Sequence, residues 1–188
     1  NERDVRLLRE LITTKLDLEM AATEEIIKIA CDIGPELATI VPEKRLELTT
    51  EGGVNVIDNI TLMKNTIEEL HKYDIEVSLF IEPDIRQIDA AAEIKSDYIE
   101  IHTGVFANAF SEEEQFDELD KIRAAVKHAK KLGLGVNAGH GLDYQNIKIF
   151  RELTDIDEVS IGHSIIARAV FVGIKQAVQE MFDLIKKG

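Results

Sequence analysis

The sequence predicts an α/β fold built on a parallel sheet. Two observations carry this reading. Six short apolar runs alternate with longer amphipathic stretches, and the polar residues able to do chemistry gather where the runs end. The runs are Leu16–Met20, Leu37–Val41, Val77–Ile81, Tyr98–His102, Leu134–Asn137 and Glu158–Ile161. They are too short for buried helices and rich enough in Val, Ile and Leu to read as strands. Strands separated by helices pair in parallel, because each helix returns the chain to the same end of the sheet. Two architectures fit: an open doubly wound sheet or a (β/α)8 TIM barrel.

Each helix has its own signal. Asn1 is a candidate N-cap for a first helix carrying Val5, Leu7, Leu8 and Leu11. A long helix is predicted from about Val54 to Tyr73, with Ile57, Ile60, Ile67 and Leu70 on one side. Ser111 followed by Glu112, Glu113 and Glu114 is a capping box with acid in the first turn, where the helix dipole favours it. That helix carries Phe116, Leu119, Ile122 and Val126 and stops near Gly133. A short helical piece at Ile165–Val170 precedes a last helix from about Phe171 to Lys187. A barrel needs eight strands and typically about 250 residues. Six strands in 188 residues that open on a helix give the expectation of one catalytic barrel domain over 1–188, with the first two βα units not represented.

Composition narrows the function. Lys and Arg number 22 against 36 Asp and Glu, a formal net charge of −14. Nucleic acid and membrane surfaces select basic faces, so neither is an expected partner. Small anionic substrates remain open, because they respond to local donors. The single cysteine, Cys31, excludes an intramolecular disulfide and suits a reducing, cytoplasmic setting. No apolar run approaches a membrane span, and the start has no signal-peptide pattern.

The strand ends hold the candidate chemistry. Glu19 closes the first run; Glu43, Lys44 and Arg45 follow the second; Glu82 ends the third; Glu100, His102 and Thr103 end the fourth. Asn137, Gly139, His140 and Gly141 end the fifth, and Gly162 and His163 the sixth. Parallel α/β folds place active sites at this end. In Asp97-Tyr98-Ile99-Glu100-Ile101-His102, alternation sends the isoleucines to the helix layer and Glu100 to the opposite, interior face. A carboxylate there is costly unless it is used or ion-paired with Lys or Arg. His102, His140 and His163 are candidate proton carriers, whereas His71 and His128 fall within helices and read as surface residues. No His/Cys/Asp cluster has metal-ligand spacing, and no metal is expected. Thr49-Thr50-Glu51-Gly52-Gly53, Asn137-Ala138-Gly139-His140-Gly141 and Ile161-Gly162-His163-Ser164 are glycine-bearing segments whose backbone N–H groups suit phosphate.

Taken together, these residues resemble a known family. Leu18-Glu19-Met20-Ala21 with Thr23-Glu24-Glu25, Val41-Pro42-Glu43-Lys44-Arg45, Thr49-Thr50-Glu51-Gly52-Gly53, Val77-Ser78-Leu79-Phe80-Ile81, Ile99-Glu100-Ile101-His102-Thr103-Gly104, Val136-Asn137-Ala138-Gly139-His140-Gly141-Leu142 and Ile161-Gly162-His163 are similar to segments of the pyridoxine 5′-phosphate synthases, in the family's order. The resemblance implies a TIM barrel that condenses 1-deoxy-D-xylulose 5-phosphate with 3-amino-2-oxopropyl phosphate, releasing inorganic phosphate and water, without a cofactor. It implies that Glu19 is a proton acceptor, His140 a proton donor, and Glu100 the carboxylate that stabilises the transition state. It further implies that Thr49 binds the pentulose phosphate, that Gly141, Gly162 and His163 bind the aminoketone phosphate, and that the protein is a homo-oligomer, an octamer. The family's opening Asn-x-Asp-His strand and His/Arg-rich loop have no counterpart in these 188 residues. Two rival readings stay open at this level: another phosphate-handling barrel enzyme, and a non-catalytic subunit.

Overall fold

A computed structural model of the chain describes residues 1–43, 52–150 and 152–186. Thr49, the Lys44–Arg45 pair and Lys187 lie outside the described residues. In order the elements are α1 (Glu2–Leu11), β1 (Asp17–Met20), α2 (Glu24–Ile33), β2 (Leu37–Ile40), α3 (Ile60–His71), β3 (Glu76–Ile81), α4 (Ile85–Glu93), β4 (Tyr98–His102), α5 (Gly104–Ala107), α6 (Glu112–Lys131), β5 (Gly135–Gly139), α7 (Ile147–Phe150), β6 (Glu158–Ser160), α8 (His163–Val172) and α9 (Ile174–Lys186). The strands form one parallel sheet in the order of the sequence, β1 to β6. That order has no point of reversal, so the doubly wound alternative fails.

The sheet is curled. A flat sheet spaces strands about 4.8 Å apart and would hold β1 and β6 roughly 24 Å from each other. Instead Lys15, just before β1, reaches Glu158 at the start of β6 with Nζ 2.8 Å from Oε1. The Lys15 ammonium also lies over the Tyr98 ring of β4, 5.5 Å from its centroid. Polar residues meet inside the curl: the Thr39 hydroxyl donates to Asp17 at 2.8 Å, and Ser160 Oγ donates to Glu100 Oε2 at 3.1 Å.

The two faces of the sheet follow from alternation. The outer face carries Ala38 and Ile40, Val77, Leu79 and Ile81, Ile99 and Ile101, and Val136 and Ala138, all buried. It packs on Met63, Ile67 and Leu70 of α3, Ile88 and Ala91 of α4, and Leu119, Ile122 and Val126 of α6. Each fully buried isoleucine or leucine contributes about 1.5–3 kcal/mol. This layer therefore holds the strands while leaving the inner face free to be polar.

One device recurs at the opposite end from the candidate chemistry. A carboxylate just before an even-numbered strand accepts the N–H at the start of the strand before it and also engages a basic side chain. Glu36 takes Leu16 N–H at 2.8 Å and pairs with Arg9 of α1. Asp97 takes Val77 N–H at 2.8 Å and pairs with His71 of α3. Asp157 takes Val136 N–H at 2.8 Å and pairs with Lys130 of α6. Sheet edge and helix end are thus tied at three places.

Several expectations are corrected. The long helix begins at Ile60, because Asn55 and Asp58 hydrogen-bond each other and the local backbone, and Val54 N–H instead reaches Phe80 O at 2.7 Å. Ile57 is consequently exposed. The fifth strand runs on to Gly139, so Asn137 lies inside the curl instead of at the strand end. The helical piece at Ile165–Val170 is part of α8, and the last helix starts at Ile174; Gly173, at φ 82°, divides them. Phe116 is exposed, and α1 buries none of its residues. His71 and His128 are half-exposed and hydrogen-bonded to Asp97 and Asp89. No helix among the described residues is long and apolar enough to cross a membrane.

The clamp at Asp97 predicts a stability cost. Asp97→Ala strands the buried Val77 N–H and should lower unfolding free energy by about 1–3 kcal/mol. Equilibrium denaturation measures it, and an unchanged midpoint would contradict the clamp.

Candidate active site

The inner face opens at the C-terminal ends of the strands into a cleft of about 1130 Å³. Glu19 of β1, Phe80 of β3, Glu100 of β4, Ser160 of β6, the loop residues His140 and Gly141, and Gly162 and His163 at the start of α8 all line it. Six of the seven residues to which the family resemblance gives a role therefore share one cavity. The seventh, Thr49, is outside the described residues.

Glu100 sits at the centre of this arrangement, only 3% exposed. The alternative of an ion pair with Lys or Arg finds no partner among the described residues; there the Ser160 hydroxyl donates to Glu100. Burial is the main influence on its carboxyl and pushes it up to about 7. The Ser160 bond works against that rise, and the charges of Glu19 and Asp17 add to it. Across the ladder, His102 pairs with Gly139 and Glu100 with Asn137. A side chain at Gly139 would collide with Glu100 Oε1, so this glycine makes the space the carboxylate occupies.

His140 is held in a strained backbone. Its φ is 73°, and Gly141 follows at 89°. A non-glycine residue in this region costs on the order of 1–3 kcal/mol, and histidine is among the types that tolerate it. Thr103 holds the turn: its hydroxyl lies 2.8 Å from Gly139 O and 2.6 Å from His140 O. The Asn146 amide donates to Gly141 O at 3.0 Å, and Ser164 Oγ to Leu142 O at 3.0 Å. These bonds tie the β5 loop to the start of α8.

The two glycines of this region differ in kind. A Cβ at Gly141 would lie 2.6 Å from Ala107 Cβ, and the φ is positive, so packing already requires glycine there. Gly162 has a negative φ, and a Cβ there meets nothing within 4 Å. The protein's own packing does not ask for glycine at 162. Gly162 caps the ten-residue α8 without a side-chain hydrogen bond, and Gly162, His163 and Ser164 at this terminus line the cleft. Such a terminus favours an anion.

Behind His140 lies a second histidine. His102 is 4% exposed, and its Nδ1 is 2.7 Å from Glu82 Oε1. The ring centroids of His102 and His140 are 5.0 Å apart, and Phe80 packs on both rings, at 5.2 and 6.4 Å. Sequence reasoning noted Glu82 and His102 separately at strand ends. It missed their pairing and the Ser160–Glu100 bond, because both depend on the register between strands. Among the described residues, no group of three or more His, Cys, Asp or Glu is placed to hold a metal ion.

Comparison with known proteins agrees with this geometry. In solved structures the fold resembles the tryptophan synthase A-subunit of Pyrococcus furiosus, with TM-score 0.65 and 11% identity over 97% of this chain and 72% of that one. It also resembles KGPDC from Streptococcus mutans, with TM-score 0.65 and 17% identity over 97% of this chain and 77% of that one. Both support a curled, TIM-barrel-like α/β fold. Curated relatives are much nearer in sequence. The pyridoxine 5′-phosphate synthase of Geotalea daltonii is 52% identical over 185 residues, covering 98% of this chain and 77% of the relative. That of Chlorobium luteolum is 55% identical over 184 residues, covering 98% and 78%. The family described as pyridoxal phosphate biosynthesis protein PdxJ matches residues 1–187, and the chain belongs to that family.

Proposed function

We propose that this chain is a pyridoxine 5′-phosphate synthase. It condenses 1-deoxy-D-xylulose 5-phosphate with 3-amino-2-oxopropyl phosphate, and releases phosphate and water. The observation that carries the reading is the convergence of Glu19, Glu100 and His140 with the Gly162–His163 helix terminus on one cleft. Membership of the family supplies the reaction; the cleft supplies groups suited to it. We read the sheet as six of the eight strands of a (β/α)8 barrel, with 1–188 belonging to one catalytic domain. The single cysteine leads us to assign the protein to the cytoplasm, and the family resemblance to assign it as a homo-octamer. Exposed apolar residues such as Val170, Phe171 and Ile174 support association.

The chemistry needs proton carriers acting at different moments. The amine adds to a ketone, water leaves, an enamine proton moves, phosphate departs, and the ring closes. Glu19 is assigned the role of proton acceptor and His140 that of proton donor. Glu100, balanced near neutrality, stabilises charge as it develops: protonated it donates a hydrogen bond, ionised it faces a cationic centre. The backbone N–H groups at Gly162 and His163, with Gly141 shaping the loop, hold the aminoketone phosphate, and Thr49 is assigned to the pentulose phosphate.

Three outcomes test the assignment. Glu19→Gln should cut turnover at least about a hundredfold, and near-normal ring formation would remove Glu19 from the mechanism. Gly162→Val meets open space, so the protein should fold normally while the KM for 3-amino-2-oxopropyl phosphate rises; an effect confined to the pentulose phosphate would reverse the phosphate assignment. Glu100→Gln should show a pH-dependent gain in stability. The folded protein holds the Glu100 proton more tightly than the unfolded chain, whose carboxyl titrates near 4.5. The penalty for ionising it is therefore absent below about pH 4.5 and fully present above about 7, where it reaches about 3 kcal/mol. Denaturation at pH 4 and pH 8 should show the variant's advantage only at the higher pH, with turnover reduced. An advantage independent of pH would contradict the buried-charge account.

A further inference from the structure

The reaction as assigned does not use the His102–Glu82 pair behind His140, in which the ring is buried and the carboxylate half-exposed. His102 Nδ1 engages Glu82 Oε1 at 2.7 Å, and the same oxygen accepts the Gly53 N–H at 3.0 Å. The other ring nitrogen, Nε2, is buried with no hydrogen-bond partner among the described residues. An unpaired buried nitrogen costs about 1–3 kcal/mol. An apolar side chain would fill the space of the His102 ring at lower cost, so packing does not explain the histidine.

The geometry directs the pair at His140. A side chain at Gly104 would collide with His102 Nε2 and would lie 3.2 Å from His140 Cδ2, so both rings converge on one bare stretch of backbone. The rings meet at an interplanar angle of 60°. Burial tends to raise the Glu82 carboxyl, but its bond to His102, the nearby His102 charge, the Gly53 N–H and the more distant His140 together hold it below the ordinary carboxylate range. By reciprocity, a charged Glu82 favours protonated His140. Other charged or titratable groups share the cleft with His140: Glu19, Glu100, Asp143, Tyr144, His163 and Arg168. Of these, Arg168 is occupied by Glu180.

We propose that Glu82 and His102 are positioning residues for His140: the carboxylate locks the His102 ring, and that ring fixes the orientation of His140. This rests on the reading of His140 as proton donor. The test measures ring formation against pH in the intact enzyme, with His140→Asn as the check on that reading. Glu82→Gln keeps an oxygen for His102 and Gly53 and removes only the charge. It should lower kcat about tenfold with both KM values nearly unchanged, and move the alkaline limb, where protonated His140 is lost, down by about one pH unit. Glu82→Asp should return the limb toward its original position.

An unshifted limb with normal kcat in Glu82→Gln, alongside an inactive His140→Asn, overturns the proposal and leaves Glu82 a purely structural acceptor. An active His140→Asn overturns the parent reading; NMR titration of His140 in Glu82→Gln then decides the pairing by itself. A lower midpoint upholds it, and an unchanged midpoint overturns it. His102→Gln gives a route independent of how Glu82→Gln folds: kcat should again fall about tenfold, and wild-type kcat there overturns the positioning role.

Discussion

The curl of the parallel sheet is the constraint on which the site depends. Glu19 on β1 and Ser160 on β6 are separated by four intervening strands. They share a cleft only because the sheet bends until Lys15 meets Glu158. The bend requires an outer layer apolar enough to hold helices against every strand. Val77, Leu79, Ile81, Ile99, Ile101 and Val136 provide it. With cohesion supplied outside, the inner face can carry Asp17, Glu19, Thr39, Ser78, Glu100, Asn137 and Ser160, a set that would not hold a sheet together alone.

The inner face is where stability is given up. Among the described residues, Glu100 is buried without a cation and Asn137 Oδ1, Ser78 Oγ and His102 Nε2 have no hydrogen-bond partner, and His140 has a positive φ. Such features each cost on the order of 1–3 kcal/mol and persist only where their surroundings over-determine them. Here the surroundings are specific: Thr103 grips the carbonyls around His140, Gly139 clears space for Glu100, and the Glu36, Asp97 and Asp157 clamps tie the far end of the sheet. One end is thus built for stability and the other carries strain, the division expected of a barrel-like α/β fold.

Much of this was legible in the residues. The strands could be read because short Val/Ile/Leu runs cannot be buried helices, and Tyr98–His102 matches its strand end for end. The inward direction of Glu100 followed from alternation alone. Boundaries failed where local polar chemistry or glycine overrode periodicity: Asn55 and Asp58 held back the start of α3, and Gly173 broke the last helices. Contacts across strands were not legible, since Ser160 meets Glu100, and Glu82 meets His102, only through register and curl. Gly162 and Gly141 look alike in sequence; only the structure separates a glycine required by packing from one that faces open space.

The central claim is that one cleft joins the acid/base groups to a phosphate-binding helix terminus. A crystal structure of the protein with 3-amino-2-oxopropyl phosphate tests it most directly. The account predicts the phosphate on the backbone N–H groups of Gly162 and His163, with the amino end directed toward Glu19, Glu100 and His140. Well-ordered substrate whose phosphate lies away from α8, or whose amino end points out of the cleft, would contradict it.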